Sequence, residues 1–178
     1  MKKIRICGVG SVLLGDDAVG PYVARWIAAN YEFGEGVEVE DLGTPGLDLI
    51  AYMTGIDVLI LIDSVENREH AGTVTVYDKA EITRQRPAVR LDPHSPCITE
   101  SIFIAELTGD GPEDVYVIGV TGEQMEVGAA LSDSVREAIP FAVEQVLARV
   151  ILHGGSYRKR EVPGDSQIWW ENSSMHLV

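Results

Sequence analysis

Short apolar runs alternate along the chain with stretches in which apolar residues recur at helical spacing. The runs predict β-strands at residues 4–9, 37–42, 58–62, 73–77 and 115–120. The run at 58–62 (VLILI) has no polar position, which is typical of a strand buried on both faces of a sheet. Too few residues connect it to 73–77 for a crossover helix, so we expect that strand to run antiparallel to its predecessor.

The amphipathic stretches predict four helices, which begin near residues 19, 47, 95 and 135. The first has an apolar stripe at positions i, i+3, i+4, i+7 and i+8: Val19, Tyr22, Val23, Trp26 and Ile27. The second, at 47–53, is short. Ser95 and Pro96 suit the N-cap and first position of the third helix, and Gly109 suits its end. The last helix spans 135–152.

The order of these elements predicts one α/β domain with helices on both faces of a mostly parallel sheet, a three-layer α/β/α sandwich. A chain of 178 residues suffices for such a domain, since a fold of this size buries roughly 70% of the surface of the unfolded chain. We place the domain at residues 1–155. Residues 79–93 are polar and irregular. Residues 156–178 have no periodicity, so we expect a flexible C-terminal tail there.

Charge and cysteine content narrow the possible functions. The net charge is −14, and residues 154–178 hold three basic and three acidic side chains, so the excess lies in residues 1–153. Nucleic acids and anionic membranes bind cationic faces, so we exclude both as main partners. No stretch approaches the ~18 consecutive apolar residues of a membrane helix, and two cysteines are too few for a disulfide scaffold. We therefore expect a cytoplasmic protein without membrane insertion.

The glycine-rich segment after the first strand does not fit a nucleotide-binding loop. The dinucleotide fingerprint G-x-G-x-x-G fails because Leu13 stands at the position of the third glycine. Gly10 and Gly15 have the spacing of a phosphate loop, but Asp16 and Asp17 follow them in place of Lys and Ser or Thr. A phosphate at this helix start would meet like charge, which excludes that class of ligand.

The two acids at the start of the first helix leave two interpretations open. Asp16 is a favourable N-cap residue, whereas Asp17 is a candidate cation ligand because one cap suffices. Asp63 directly follows the strand 58–62, and His94 precedes the third helix. If the first and third strands are neighbours, both carboxylates lie at the sheet edge where α/β proteins bind ligands. Asp17, Asp63 and His94 would then suit zinc, nickel or manganese with open coordination positions.

Other reactive groups carry weaker signals. Cys97 follows His94 at a possible ligand spacing, although such a cysteine is more often a small apolar residue packed on its helix. Cys7 lies within the first strand, and we expect it in the core. The chain has neither H-E-x-x-H nor G-x-S-x-G, which excludes zinc proteases of that type and a serine nucleophile elbow.

Four segments carry a combined signature: residues 8–20 (GVGSVLLGDDAVG), 41–46 (DLGTPG), 62–64 (IDS) and 93–94 (PH). In this order they resemble the hydrogenase maturation endopeptidases, and the resemblance extends over about residues 3–152. In that family an acid of the first loop, an Asp after the third strand and a His before the third helix bind metal. These positions correspond to Asp17, Asp63 and His94. Asp16 and the turn that begins with Asp41 correspond to family positions that line the same cleft.

The resemblance implies a phosphorylase/hydrolase-like fold with a five-stranded mixed sheet, in which one strand is antiparallel. It also implies an endopeptidase that removes a short C-terminal peptide from the precursor of a nickel–iron hydrogenase large subunit after nickel insertion. The enzyme then recognises nickel that the substrate carries. We expect zinc or cadmium to replace nickel at the same ligands in vitro.

The sequence leaves the mechanism and the partner open. In the simplest version a metal-bound water attacks the peptide carbonyl, with Asp16 or Asp41 as proton acceptor. Ser11 stands where the family usually has Asn, and residues 95–97 also depart from the family pattern, so the partner hydrogenase is not specified. Two alternatives are a metal-dependent checkpoint protein that binds without cleaving, and a hydrolase of this fold with another peptide or small-molecule substrate.

Overall fold

A mixed β-sheet with helices on both faces forms the centre of the protein. The computed structural model describes residues 1–84, 90–91 and 98–171. The strands are β1 (Ile4–Val9), β2 (Tyr31–Phe33), β3 (Val37–Gly43), β4 (Val58–Glu66), β5 (Val74–Asp78), β6 (Arg90–Leu91), β7 (Asp114–Thr121) and β8 (Tyr157–Lys159). The helices are α1 (Val19–Asn30), α2 (Leu49–Met53), α3 (Lys79–Arg84), α4 (Ile98–Thr108) and α5 (Asp133–Leu152). No helix within these ranges is long and apolar enough to cross a membrane. The predicted three-layer sandwich is confirmed.

The main sheet has the strand order β3-β1-β4-β7-β5. The first four strands of this order are parallel, and β5 is antiparallel to β7. The five-stranded mixed sheet with one antiparallel strand is therefore confirmed along this path. β5 runs antiparallel to β4 as predicted, but it pairs with β7 and not with β4. A short strand that the sequence did not predict, β6, adds to the sheet by pairing antiparallel with β4 at Val65 and Glu66.

β4 lies between two hydrophobic clusters, one on each face of the sheet. Ile60 and Ile62 belong to the cluster formed with α1 and α5. Leu59 and Leu61 belong to the cluster formed with α2 and α4. Successive side chains of a strand point to opposite faces, and all four of these are fully buried. Burial on both faces explains why this strand has no polar position between residues 58 and 62.

The starts of α1, α3 and α5 are set in different ways. α1 starts at Val19 as predicted, and its N-cap residue makes no side-chain cap bond. Ser132 caps α5, since its Oγ accepts a hydrogen bond from Val135 N at 3.3 Å, and the helix begins two residues earlier than predicted. α3 lies in the segment that was expected to be irregular. A capping box explains it, because Asp78 N donates to Glu81 Oε2 at 3.0 Å and Glu81 N donates to Asp78 Oδ1 at 2.8 Å.

The chain after α5 packs against the domain as far as Glu171. β8 pairs antiparallel with β2, and two backbone hydrogen bonds join the following segment to the end of α1, from Arg160 N to Asn30 O and from Gly164 N to Ala29 O, each 2.8 Å. Trp170 is 9% exposed and belongs to the cluster formed with α1 and α5. Glu171 forms an ion pair with Arg136 of α5. Residues 156–171 thus differ from the flexible tail that the sequence predicts, because the partners that hold them are distant in sequence.

Candidate active site

The predicted ligands Asp17 and Asp63 lie at the carboxyl edge of β1 and β4. These strands are parallel neighbours, with Gly8 beside Ile62, which confirms the adjacency that the prediction required. A Cβ at Gly20 would lie 2.3 Å from the carbonyl oxygen of Ile62, so the start of α1 packs directly on β4. β3 lies on one side of β1 and β4 on the other, so the strand order reverses here. Open α/β sheets bind ligands at such a reversal.

The loop between β1 and α1 holds the carboxylate of Asp17. Gly10 has a φ of 133°, and a Cβ there would lie 1.9 Å from the carbonyl oxygen of Asp17, so only glycine fits. Ser11 N donates a hydrogen bond to Asp17 Oδ2 at 2.5 Å. Asp17 itself belongs to the 3-10 turn Gly15–Ala18, which contacts β4, and the residue is 2% exposed. The loop therefore holds a buried carboxylate against the sheet edge.

Asp63 lies inside β4, whereas the sequence placed it after the end of the strand. β4 extends to Glu66 because two strands accompany it there: β7 pairs with it as far as Val65, and β6 pairs with it at Val65 and Glu66. Asp63 lies beside Gly119 of β7. The two-residue alternation puts Asp63 on the same face of the sheet as Leu61, the face covered by α2 and α4. At 2% exposure, Asp63 is a buried carboxylate within the sheet.

His94 and Cys97 lie outside the described residues. The chain on either side of them is placed, since Leu91 of β6 pairs with Val65 of β4 and α4 begins at Ile98. Across residues 1–84, 90–91 and 98–171, no three His, Cys, Asp or Glu side chains group into a metal centre. The set of Asp17, Asp63 and His94 stays a prediction.

Asp16 joins two loops of the site and does not cap α1. Its fully buried carboxylate accepts four hydrogen bonds. Oδ2 accepts from Glu123 N at 2.9 Å, Gln124 N at 3.1 Å and Ser132 Oγ at 3.0 Å, and Oδ1 accepts from Ser132 N at 2.7 Å. Ala18 is the N-cap of α1 and makes no side-chain cap bond, so the capping interpretation of Asp16 is wrong. The carboxylate ties the first loop to the loop between β7 and α5.

Asp41 connects the end of β3 to α1. Its Oδ2 accepts a hydrogen bond from Arg25 Nε at 2.7 Å, and its Oδ1 accepts one from Gly43 N at 3.0 Å. Arg25 also donates to the carbonyl oxygen of Gln167 at 2.9 Å, and its guanidinium lies 5.1 Å from the centre of the Trp170 ring. The Asp41 side chain is 15% exposed, so it reaches the surface of the cleft.

Sequence reasoning missed Arg25 and Ser132 as residues that support the site. Ser132 had a detectable signal, since Ser directly before an amphipathic helix is a favourable N-cap. Arg25 had none, because a single charged residue on an amphipathic helix is most often part of its solvated face. Their partners Asp41 and Asp16 are distant in sequence, so only the fold reveals the pairs.

The thiol of Cys7 is part of the core, as predicted. The residue is fully buried in β1. Burial disfavours the thiolate and raises the pKa of Cys7 to about 12. Cys7 is therefore protonated at neutral pH and does not supply a nucleophile.

Comparisons with known proteins agree with this architecture. The family model for hydrogenase maturation protease (HycI) matches residues 21–149. The chain is 30% identical over 167 residues to Hydrogenase 2 maturation protease of Escherichia coli (strain K12), covering 92% of this chain and 99% of the relative. It is 27% identical over 170 residues to Hydrogenase expression/formation protein HoxM of Azotobacter vinelandii, covering 90% of this chain and 82% of that protein.

A solved structure gives the same result. The hydrogenase maturating endopeptidase HybD from E. coli superposes with a TM-score of 0.81 at 28% identity, over 89% of this chain and 98% of that chain. The family that the four sequence segments predict is thereby confirmed. With its α/β/α fold, its loop built around Gly10 and its acidic sheet edge, this chain belongs to the hydrogenase maturation protease family and is a hydrolase of peptide bonds.

Proposed function

We propose that this protein is the endopeptidase that removes the C-terminal peptide from the precursor of a nickel–iron hydrogenase large subunit after nickel insertion. The observation that carries the proposal is the pair of buried carboxylates, Asp17 and Asp63, at one sheet edge of a maturation protease. Two such groups offer oxygen ligands to a cation at the point where this fold binds ligands. Cytoplasmic action stays a prediction from the sequence.

Recognition of the nickel would let the enzyme select nickel-loaded precursor over nickel-free precursor. Asp17, Asp63 and His94 are the proposed contacts to the nickel that the precursor carries. Three protein ligands leave coordination positions for groups of the substrate, so only a nickel-loaded precursor completes the set. Zinc and cadmium accept the same ligand types, and we expect them to bind in vitro.

Asp16 and Asp41, the two candidate proton acceptors, differ in their surroundings. Asp16 is fully buried and its carboxylate accepts four hydrogen bonds, so it is closed to substrate and we assign it a positioning role. The Asp41 side chain is 15% exposed at the surface of the cleft, and it keeps the candidate role of proton acceptor. In that role Asp41→Asn would lower kcat while cadmium affinity stays unchanged. An unchanged kcat would remove Asp41 from the candidate proton acceptors.

One experiment tests the function directly. The protein is mixed with nickel-loaded large-subunit precursor, and the products are weighed by intact-mass spectrometry, with nickel-free precursor as the control. Loss of a C-terminal peptide from the loaded precursor alone is the expected result. Binding without a change in mass would favour the checkpoint protein. Cleavage of unrelated peptides would favour a general hydrolase.

Single substitutions test the ligands separately. Asp17→Asn, Asp63→Asn and His94→Ala should each weaken cadmium or nickel binding by a few kcal/mol, or about a hundredfold. Asp48→Asn is the matched control, since Asp48 is exposed at the start of α2 and lies outside the proposed set. A ligand variant that binds metal as tightly as Asp48→Asn would be removed from the set.

A further inference from the structure

An open groove of about 380 Å³ lies beside the loop that holds Asp17. Residues 10–13 of that loop and residues 41–44 after β3 form two of its sides. Arg25, Trp169 and Trp170 complete the lining. Because Ser11 N donates to Asp17 Oδ2, the loop residues of the groove also hold the proposed ligand, and the groove is continuous with the candidate active site.

The segment after α5 forms one wall of this groove. Trp170 is 9% exposed and anchors the wall, with the Arg25 guanidinium 5.1 Å from the centre of its ring. The Trp169 ring stands perpendicular to the Trp170 ring at 5.8 Å between centres, and Trp169 is 50% exposed. Leu13, on the loop side of the groove, is also 50% exposed. The groove therefore presents two large apolar side chains on a supported framework.

The charges of the lining favour an apolar occupant. Asp41 is the acidic residue of the lining, and Arg25 neutralises it through a hydrogen bond of 2.7 Å. Arg25 is further engaged by the carbonyl oxygen of Gln167. With its two opposite charges paired, the groove offers apolar surface from Leu13 and Trp169 as its main attraction, and exposed aromatic side chains are common anchors of peptide binding.

We propose that the groove binds the C-terminal peptide of the large-subunit precursor, with one apolar side chain of that peptide between Leu13 and Trp169. This inference rests on the proposed function, which places the peptide bond to be cut at the sheet edge that holds Asp17 and Asp63. The part of the peptide on the C-terminal side of that bond extends over the protein surface next to this sheet edge, and the groove lies on that surface.

Cleavage kinetics with nickel-loaded precursor test the inference. Trp169→Ala and Leu13→Ala should each raise KM about five- to thirtyfold and leave kcat within about twofold, because they remove contact to the peptide and not to the reacting bond. Trp169→Phe keeps an aromatic ring and should stay within about threefold of wild type. Phe103→Ala is the matched control, since Phe103 is an aromatic residue 59% exposed on α4, outside this groove.

The outcomes separate this inference from the proposed function. If the wild type does not cut the precursor, the proposed function fails and the groove assignment falls with it. If the wild type cuts and the KM of Trp169→Ala equals that of Phe103→Ala, only the groove assignment is overturned. If Trp169→Ala loses its far-UV circular dichroism, Leu13→Ala decides the question instead.

Crosslinking identifies the occupant of the groove. The variant Trp169→p-benzoylphenylalanine is irradiated with the nickel-loaded precursor, and the crosslinked peptides are sequenced by mass spectrometry. A crosslink to the C-terminal extension of the precursor is the expected result. A crosslink only to residues 172–178 of this chain, only to a second copy of this chain, or to no part of the extension would overturn the assignment.

Discussion

The replacement of Asp16 by Asn tests whether this carboxylate holds the two loops of the site together. Oδ2 accepts three of its four hydrogen bonds, and Oδ1 accepts the fourth, from Ser132 N at 2.7 Å. Asparagine has one oxygen and one amino group. If the oxygen takes the position with three donors, the amino group must face the N–H of Ser132, which brings two donors together in a fully buried place.

The expected loss of stability follows from these contacts. A buried donor without an acceptor costs about 1–3 kcal/mol, and hydrogen bonds to the remaining oxygen weaken because the acceptor is no longer charged. We therefore expect Asp16→Asn to lower the free energy of unfolding by about 2–4 kcal/mol. In a domain of this size that change corresponds to a decrease in Tm of roughly 4–16 °C.

Urea denaturation monitored by circular dichroism measures this change. The m-values of the wild type and the variant are compared, because an equal m-value shows that the shift in midpoint is a change in stability. Asp133→Asn is the matched control, because it is the same substitution at an exposed position, one residue after Ser132. It removes only a helix N-terminal charge, which contributes less than about 1 kcal/mol. If Asp16→Asn destabilises the protein no more than Asp133→Asn, the reasoning about the buried carboxylate is refuted.

Three further substitutions or measurements check other parts of the structure. Gly10→Ala should lower the free energy of unfolding by at least about 3 kcal/mol, since its Cβ would overlap the Asp17 carbonyl oxygen. Gly128 also has a positive φ, but no atom lies within 4 Å of the place a Cβ would take, so Gly128→Ala should lower it by only about 1–2 kcal/mol. Trp170→Ala should cost about 3–5 kcal/mol because the ring is buried, and the exposed Trp169→Ala less than about 1 kcal/mol, both by urea denaturation. Cys7, with its pKa raised to about 12 by burial, should resist iodoacetamide at pH 8 in the native protein and react after unfolding in urea, as peptide mass mapping will show.

Each of these expectations has a contrary result. Equal costs for Gly10→Ala and Gly128→Ala would mean that the first loop does not close on Asp17. Equal costs for the two tryptophan variants would mean that the segment after α5 does not pack on the core. Alkylation of Cys7 in the native protein at the rate seen in urea would contradict its burial.

The positions of the main strands and helices along the chain follow from local pattern to a large extent. The continuous apolar run at 58–62 is typical of a strand between two layers, and the stripe that begins at Val19 is typical of a helix that buries one face; the structure places both in the core. A three-layer α/β/α fold is then the arrangement that covers every apolar face. The position of Asp63 near the carboxyl edge and the acids after Gly15 were also evident from the sequence, because chemistry-bearing residues interrupted apolar patterns there.

Pairings between distant residues were not evident from the sequence. β5 joins β7 instead of β4, and β4 runs on to Glu66, because strands extend as far as a neighbour supplies backbone hydrogen bonds. The segment after α5 has no periodicity, yet Trp170 and β8 pack on the domain, since their partners come from α1 and β2. Local periodicity carries no information about such partners.

For the candidate site, too, some features were evident from the sequence and others only from the structure. The sequence by itself determined the kinds of residue at the edge of the sheet: a glycine loop without a phosphate-binding lysine, paired acids, and an acid directly after the third predicted strand. Only the tertiary structure decided their roles. It surrounds Asp16 with donors from residues 123–132, and it gives Asp41 the guanidinium of Arg25. The chemical type of a side chain determines which groups it can bind. Its hydrogen-bond partners come from remote parts of the chain, and only folding brings them within hydrogen-bond distance.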